Sequence, residues 1–225
     1  METMEHKRLT LFAGHYGSGK TNIAVNYAML LAKEGKSVCI ADLDIVNPYF
    51  RTKDSERELT EQGVTLISSQ YANTNVDLPA IPAESYRIVQ DKSVFSVIDI
   101  GGDDRGAYAL GRYVPAIKAE NDYRMVFVLN RHRPLTATVE DAIAIMREIE
   151  AAAGLCFTCI VSNSNLGAET TKETVLESVE FAEAFSKATN LPIWFYTVEK
   201  RLAEEISELT ILPLTLQKKY FDLPD

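Results

Sequence analysis

Short apolar runs alternate along the chain with longer segments in which apolar residues recur every three or four positions. The short runs are rich in β-branched and aromatic residues, which favours buried strands. Strands separated by helical segments are typical of a parallel sheet with crossover helices. The pattern therefore predicts an α/β fold with a doubly wound, mostly parallel sheet flanked by helices. The predicted strands are Arg8–Ala13, Ser37–Ala41, Val64–Ser68, Val94–Ile100, Met125–Leu129, Phe157–Val161 and Ile193–Tyr196.

Three helices can be placed from the spacing of apolar residues. The first begins at a glycine-rich turn and ends at Gly35, a natural stop signal. The second starts within Thr136–Thr138 and ends before Gly154, and the third covers about Thr171–Ala188. We expect the apolar stripe of each helix to pack against the sheet. Because no segment rich in proline, glycine or serine divides the sequence, residues 1–225 are predicted to form a single domain.

A glycine-rich motif follows the first predicted strand. The residues from Gly14 to Thr21 satisfy the pattern G-x-x-x-x-G-K-[S/T] between a strand and a helix. In such a loop, backbone N–H groups and the positive end of the helix hold the phosphates of a nucleotide. Lys20 would bring a positive charge to the β- and γ-phosphates, and the Thr21 hydroxyl would bind Mg²⁺. The predicted nucleotide site comprises Gly14, His15, Tyr16, Gly17, Ser18, Gly19, Lys20, Thr21 and Asn22.

Acidic residues end two of the predicted strands. Asp42 and Asp44 close the second strand on the same side, and Asp99 closes the fourth. Mg²⁺ bound to a nucleotide keeps several waters and needs only one or two protein carboxylates. Asp44 and Asp99 are therefore candidate metal ligands together with Thr21. Asp103, in the turn after the fourth strand, could serve the site or cap the next helix.

These residues together resemble the SIMIBI class of P-loop ATPases, the branch of MinD, ParA and the nitrogenase iron protein within the CobQ/CobB/MinD/ParA nucleotide-binding family. The segment Asp42–Asp44, followed by Asn47 and Pro48, is similar to the first switch segment of that family. This resemblance implies that Asp44 orients the water that attacks the γ-phosphate, and it makes Asn47 a candidate switch residue.

Two further segments extend the resemblance. The segment Asp99–Asp103 is similar to the second switch of the family, which makes Gly102 and Asp103 candidate switch residues. Asn163, at the end of the sixth apolar run, is similar to the strand-end asparagine that hydrogen-bonds adenine. Guanine-specific relatives would have an aspartate about three residues later, where this chain has Leu166. The resemblance therefore implies ATP rather than GTP.

The sequence also departs from the family pattern. Many members carry a signature lysine after the first glycine of the motif, and this chain has His15 there. A neutral imidazole supplies no permanent charge at pH 7. Arg51 could supply the missing charge, or it could be a solvated loop residue. The cysteine that follows the second switch in iron proteins is replaced by Arg105–Ala107, so we expect no iron–sulfur cluster at that position.

Composition narrows the choice of partners. The 225 residues are 46% hydrophobic with a net charge of −9, which excludes general disorder and disfavours direct binding of nucleic acid. No stretch approaches the roughly 20 apolar residues that a membrane helix needs. The segment Leu214–Asp225 is predicted to form a packed helix instead of a basic membrane anchor. We therefore expect a cytoplasmic protein with no membrane contact.

Three cysteines are too few for a disulfide framework. Cys39 stands alone, whereas Cys156 and Cys159 form a C-x-x-C motif inside the apolar run Leu155–Val161. This run is typical of a strand, in which residues three apart point to opposite faces. We expect two core thiols. The alternative is a metal site shared between two chains.

The functional prediction is a Mg²⁺-dependent ATPase that hydrolyses ATP slowly and acts as a nucleotide-state switch toward an unknown partner protein. Lys20 and Asp44 would carry catalysis, and ATP would favour a homodimer. One alternative is a biosynthetic enzyme of the dethiobiotin synthetase or cobyrinate diamide synthase type, in which His15 and the loop Ser69–Pro82 serve a second substrate. The same scaffold would also suit a partition or positioning ATPase that reaches DNA through a partner, or an ATPase that matures a metal centre in a client enzyme.

Overall fold

In a computed structural model, the described residues are 4–43, 55–67, 86–102, 104–163, 165–206 and 208–216, of which 104–107 and 168 are described by their backbone alone. Within these residues, eight parallel strands form one sheet in the order β3-β2-β4-β1-β5-β6-β7-β8. The strands are β1 Leu9–Ala13, β2 Val38–Leu43, β3 Thr65–Ile67, β4 Phe95–Ile100, β5 Tyr123–Leu129, β6 Cys159–Asn163, β7 Ile193–Glu199 and β8 Ile211–Leu214.

Helices cover both faces of this sheet. They are α1 Lys20–Lys33, α2 Glu56–Glu61, α3 Arg87–Gln90, α4 Asp104–Gly111, α5 Val114–Glu120, α6 Val139–Ala153 and α7 Lys172–Thr189. Short 3₁₀ turns lie at Pro134–Thr136, Gly167–Glu169 and Lys200–Glu205. In the described part of the chain, none of the helices combines the length and the apolar character that crossing a membrane requires.

The three predicted helices are confirmed, and local signals explain their ends. The Thr138 hydroxyl accepts a hydrogen bond from the Asp141 N–H and caps the start of α6. Gly154 ends α6 in a left-handed conformation. At the start of α7, Thr171 and Thr174 form a reciprocal capping box.

Alternating side chains of the strands feed two hydrophobic layers. Leu11 of β1 packs in the layer that contains α6 and α7, while the adjacent Phe12 packs in the layer of α1 with Ile23 and Tyr27. Each fully buried side chain of this size contributes roughly 1.5–3 kcal/mol of transfer free energy. This arrangement confirms the doubly wound fold and places the carboxyl ends of all strands at one edge of the sheet.

The structure corrects several boundaries. Among the described residues every strand pairing is parallel, which agrees with the predicted, mostly parallel sheet. The edge strand β8 is not predicted because it is short and contains Pro213. Leu214 belongs to β8, so it does not begin a terminal helix; residues 217–225 lie outside the described residues.

The sixth strand begins later than predicted, at Cys159 instead of Phe157. Cys156 therefore lies before the strand and is exposed, so the expectation of two core thiols is wrong for this residue. Cys159 is buried, and burial raises the pKa of its thiol to about 11.

Candidate nucleotide site

The glycine-rich motif forms the turn between β1 and α1. Gly19 precedes the first helical residue with a φ of 94°, a left-handed conformation that favours glycine. A side chain at this position would also collide with the Asn163 amide. The glycine at this N-cap position makes no side-chain cap hydrogen bond to the start of α1. The turn therefore has the construction of a phosphate cradle.

A cavity of about 480 Å³ opens at this cradle. Lys20 and Thr21 line the cavity, although their side chains are almost fully buried, with relative exposures of 3% and 5%. Tyr16, Gly17 and Asn22 also line it. The volume lies within the range of about 300–1,000 Å³ that is typical of small-molecule and cofactor sites. The structure therefore brings most of the predicted motif residues to one cavity.

Asp42 of β2 and Asp99 of β4 occupy neighbouring positions near the carboxyl ends of their strands. Asp42 is in register with Asp99, and Asp99 is in register with Phe12, the penultimate residue of β1. Because in-register residues share a face, both aspartates lie on the side of the sheet that α1 covers. Asp99 is fully buried, whereas Asp42 is partly exposed.

The donor set fits a cation that also uses phosphate oxygens. The hydroxyl of Thr21 and the carboxylate of Asp99 are hard oxygen donors at the same edge of the sheet. Among the described residues, no group of three or more His, Cys, Asp or Glu side chains could hold a metal ion by itself. Nucleotide-bound Mg²⁺ suits this sparse set of donors because it keeps several waters.

Gly102, in the segment after β4, packs directly against the cradle. A Cβ atom added to Gly102 would lie 2.7 Å from the Tyr16 nitrogen and 3.1 Å from the Gly14 carbonyl oxygen. Both of these are backbone atoms, so only glycine permits this approach without a shift of the loop. The predicted switch residue Gly102 therefore lies against the backbone of the cradle.

Asn163 links the cradle to the neighbouring strands. Its Nδ2 donates a hydrogen bond of 2.6 Å to the Ser18 carbonyl, and its Oδ1 accepts one of 2.8 Å from the Thr197 hydroxyl. The side chain lines the cavity but is only 2% exposed. Asn163 therefore positions the loop, and its predicted contact with adenine stays a prediction.

Arg133 is a cavity residue that the sequence motifs do not reveal. It follows β5, and its Nε donates a hydrogen bond of 2.7 Å to the Gly17 carbonyl. Its side chain is exposed and lines the cavity. The loop is held in shape because the Thr136 hydroxyl donates to the Asn130 carbonyl at 2.6 Å. Arg133 therefore adds a positive charge at the rim of the cradle.

His15, which stands where many family members carry the signature lysine, contacts its own loop. Its Nδ1 lies 3.0 Å from the Tyr16 carbonyl oxygen, which can accept a hydrogen bond from the protonated nitrogen. The imidazole is thus engaged by its own loop. The remaining predicted site residues, Asp44, Asn47, Arg51 and Asp103, lie outside the described residues, as does the loop Ser69–Pro82.

The parallel sheet and the glycine-rich turn together are those of a P-loop NTPase fold of the SIMIBI type. Similar solved structures include the cell division protein FtsY of Thermotoga maritima, with a TM-score of 0.59 and 18% identity over 86% of this chain and 62% of that chain. FtsY of Mycoplasma mycoides has a TM-score of 0.54 and 18% identity over 87% of this chain and 63% of that chain. Chloroplast FtsY of Physcomitrella patens has a TM-score of 0.54 and 18% identity, with coverages of 87% and 60%. The chain thus spans less than two thirds of these structures.

Residues 9–189 match the model of the CobQ/CobB/MinD/ParA nucleotide binding domain. The chain belongs to this family. A search of curated proteins found no match to the sequence. Nucleotide binding is therefore supported by the family, and the shared fold is supported by the solved structures.

Proposed function

We propose that this protein binds ATP with Mg²⁺, hydrolyses it slowly and uses its nucleotide state to control binding to a partner protein. One observation carries the proposal: the cradle with Lys20 and Thr21 opens onto a cavity of nucleotide size, and Gly102 packs against the same backbone. A ligand bound in the cradle would therefore lie next to the segment after β4.

Catalysis at such a site depends on positioning and charge neutralisation. Lys20 and the backbone N–H groups of the cradle would hold the β- and γ-phosphates. Thr21 and Asp99 would hold Mg²⁺, which when bound neutralises charge on the phosphate oxygens. Asp44 directly follows β2, and its proposed role is to orient the attacking water.

The contact of Gly102 with Tyr16 suggests how nucleotide state is communicated. A γ-phosphate near the Tyr16 N–H would change the space available to Gly102, where an added Cβ would lie 2.7 Å from the Tyr16 nitrogen. Displacement or ordering of such a segment is a common way to couple a γ-phosphate to a binding surface. We propose that residues 44–53 and 101–106 report the nucleotide to the partner, and that ATP also favours a homodimer.

Our proposal of adenine over guanine is based on the residues that line the cavity. Guanine presents N–H donors that a carboxylate accepts well, and none of the described lining residues is Asp or Glu. Leu166 lines the cavity near the end of β6 and cannot accept a hydrogen bond through its side chain. We therefore propose ATP as the preferred nucleotide.

Turnover of the purified protein without a co-substrate tests this function. We expect slow release of phosphate from ATP, little from GTP, and a larger particle by light scattering with a non-hydrolysable ATP analogue than with ADP. Preference for GTP would contradict the proposed nucleotide. An enzyme that binds ATP but stays idle until a small carboxylic acid is added would instead be a biosynthetic enzyme.

A further inference from the structure

Asn26 joins the helix of the nucleotide site to the segment that follows the edge strand β8. Its Oδ1 accepts a hydrogen bond of 2.9 Å from the Thr215 N–H, and its Nδ2 donates one of 3.0 Å to the Thr215 carbonyl. The two residues are 189 positions apart in the sequence. One side-chain amide thus satisfies both backbone groups of Thr215, as a neighbouring strand would.

The same amide is anchored on α1. Asn26 Nδ2 also donates a hydrogen bond of 2.8 Å to the Asn22 carbonyl, one helical turn closer to the cradle. Asn26 is 8% exposed, so these bonds are shielded from water. Leaving a buried amide without hydrogen-bond partners costs free energy. These hydrogen bonds therefore hold the Asn26 side chain in one orientation.

The residue after Thr215 reaches the cavity. Leu216 lines the cavity together with Asn22 and Leu166. An apolar side chain cannot hold a phosphate, but it can pack against the flat face of a base. Leu216 and Leu166 give the cavity an apolar part in addition to its phosphate cradle. No sequence motif connects the two segments from which they come.

We infer that Asn26 is a positioning residue that holds Leu216 as a wall for the nucleotide base. This inference rests on the proposed function, since it assumes that a nucleotide occupies the cavity. Without the two bonds to Thr215, the segment after β8 loses its tie to α1 and Leu216 loses its fixed place. The phosphate cradle does not use Asn26, so the contact with phosphate should survive.

Binding of two ligands distinguishes this role from a general structural role. ATP carries a base, whereas inorganic tripolyphosphate presents only the phosphate chain. For Asn26→Ala, we expect ATP affinity measured by calorimetry to fall by about tenfold while tripolyphosphate affinity stays within about twofold. Leu216→Ala should show the same split. Thr215→Ala is the matched control because its side chain is exposed and its backbone groups remain; it should bind both ligands like the wild type.

The outcomes separate this inference from the proposed function. If the wild type binds neither ligand, the proposed function is wrong. If the wild type binds both and Asn26→Ala loses both equally, or keeps both, only the inference is overturned. Should Asn26→Ala fail to fold in thermal unfolding, Leu216→Ala decides: a selective loss of ATP supports the base wall, and unchanged ATP affinity contradicts it.

Discussion

Buried charged residues have different roles at the two ends of the strands. We call the side of the sheet where the strands begin the amino edge and the side where they end the carboxyl edge. At the amino edge, Arg8 is 6% exposed and donates hydrogen bonds to three backbone carbonyls as well as to the Glu120 carboxylate. At the carboxyl edge, Lys20 is 3% exposed but lines an open cavity. Similar burial therefore serves different purposes, since the first charge holds the chain together and the second lies where a ligand would bind.

Packing follows the same division. Near the amino edge, the Arg124 guanidinium lies 4.1 Å from the centroid of the Trp194 ring, and Trp194 packs edge-on against Tyr27. The carboxyl edge instead has closely approaching backbone at Gly19 and Gly102. Packed large side chains stabilise the first edge, whereas the second edge holds a cavity. Substitutions at the first edge should reduce stability, and those at the second should reduce binding.

Arg8→Ala should produce the largest effect. Removing the guanidinium leaves the Glu120 carboxylate and three carbonyls without this donor, so we expect the free energy of unfolding to fall by about 3–5 kcal/mol. Urea denaturation measures this change. Nucleotide affinity of the folded protein should stay within a factor of about two, because Arg8 lies at the opposite edge from the cradle. A large loss of nucleotide affinity without a loss of stability would contradict the different roles of the two edges.

Lys20→Ala should act in the opposite way. We expect ATP affinity to fall by about 100-fold, equivalent to about 2.7 kcal/mol, because the phosphates lose a buried positive charge. Calorimetry measures the affinity, and Lys33→Ala in the last turn of the same helix is the matched control because this lysine is exposed. Unchanged affinity in Lys20→Ala would remove the cradle from the nucleotide site.

Gly102→Ala should reduce turnover by about tenfold because its Cβ would collide with the Tyr16 backbone. Gly111→Ala is a suitable control, since a Cβ there meets nothing within 4 Å. Phosphate release under saturating ATP is the measurement. Equal turnover in the two variants would show that the close approach of Gly102 has no part in the reaction.

Arg133→Ala should have a smaller effect because the side chain is exposed and solvent screens its charge. We expect ATP affinity to fall by about fivefold at low salt, with the difference narrowing as salt rises. The neighbouring Arg131 donates to the Glu177 carbonyl of α7, so Arg131→Ala should leave affinity unchanged. Equal losses in both variants would indicate a general charge effect instead of a contact at the rim.

The smallest expected effect is a pH dependence at the amino edge. Burial lowers the pKa of His6, whose Nδ1 lies 2.9 Å from the Tyr27 hydroxyl. Because the unfolded chain binds this proton more readily, the free energy of unfolding should fall as the pH drops below about 6.5. Burial also lowers the pKa of His132, so this residue adds a pH dependence of the same sign. The contribution of His6 is therefore the difference between the wild type and His6→Gln from pH 7.5 to 5.5.

Local signals explain what the sequence predicts well. The motif Gly14–Thr21 specifies a strand, a turn and a helix within a few residues, and Thr138 and Gly154 mark the ends of α6. Contacts between distant segments carry no such signal. Arg133 meets Gly17 across 116 positions, and no pattern near either residue announces that hydrogen bond.

Contacts between distant segments also explain why the sequence did not predict the position of Leu216 and wrongly predicted that Cys156 is buried. Leu216 follows a short edge strand that contains Pro213, and its place depends on a distant helix. The apolar run around Cys156 predicts a strand there, but pairing with β5 begins only at Cys159. An apolar run predicts that a strand exists, whereas its first residue is set by the neighbouring strand.

Amide NMR spectra recorded with and without MgATP test the division between the two edges most directly. We expect shifted amide signals for residues 14–22, 99–102, 163, 165–167 and 215–216, and unchanged signals for residues 5–8, 88–94 and 120–124. Tripolyphosphate, which carries no base, should shift the first group except residues 165–167 and 215–216. Shifts concentrated at the amino edge, or no shift in residues 14–22 at saturating MgATP, would contradict a nucleotide site at the cradle.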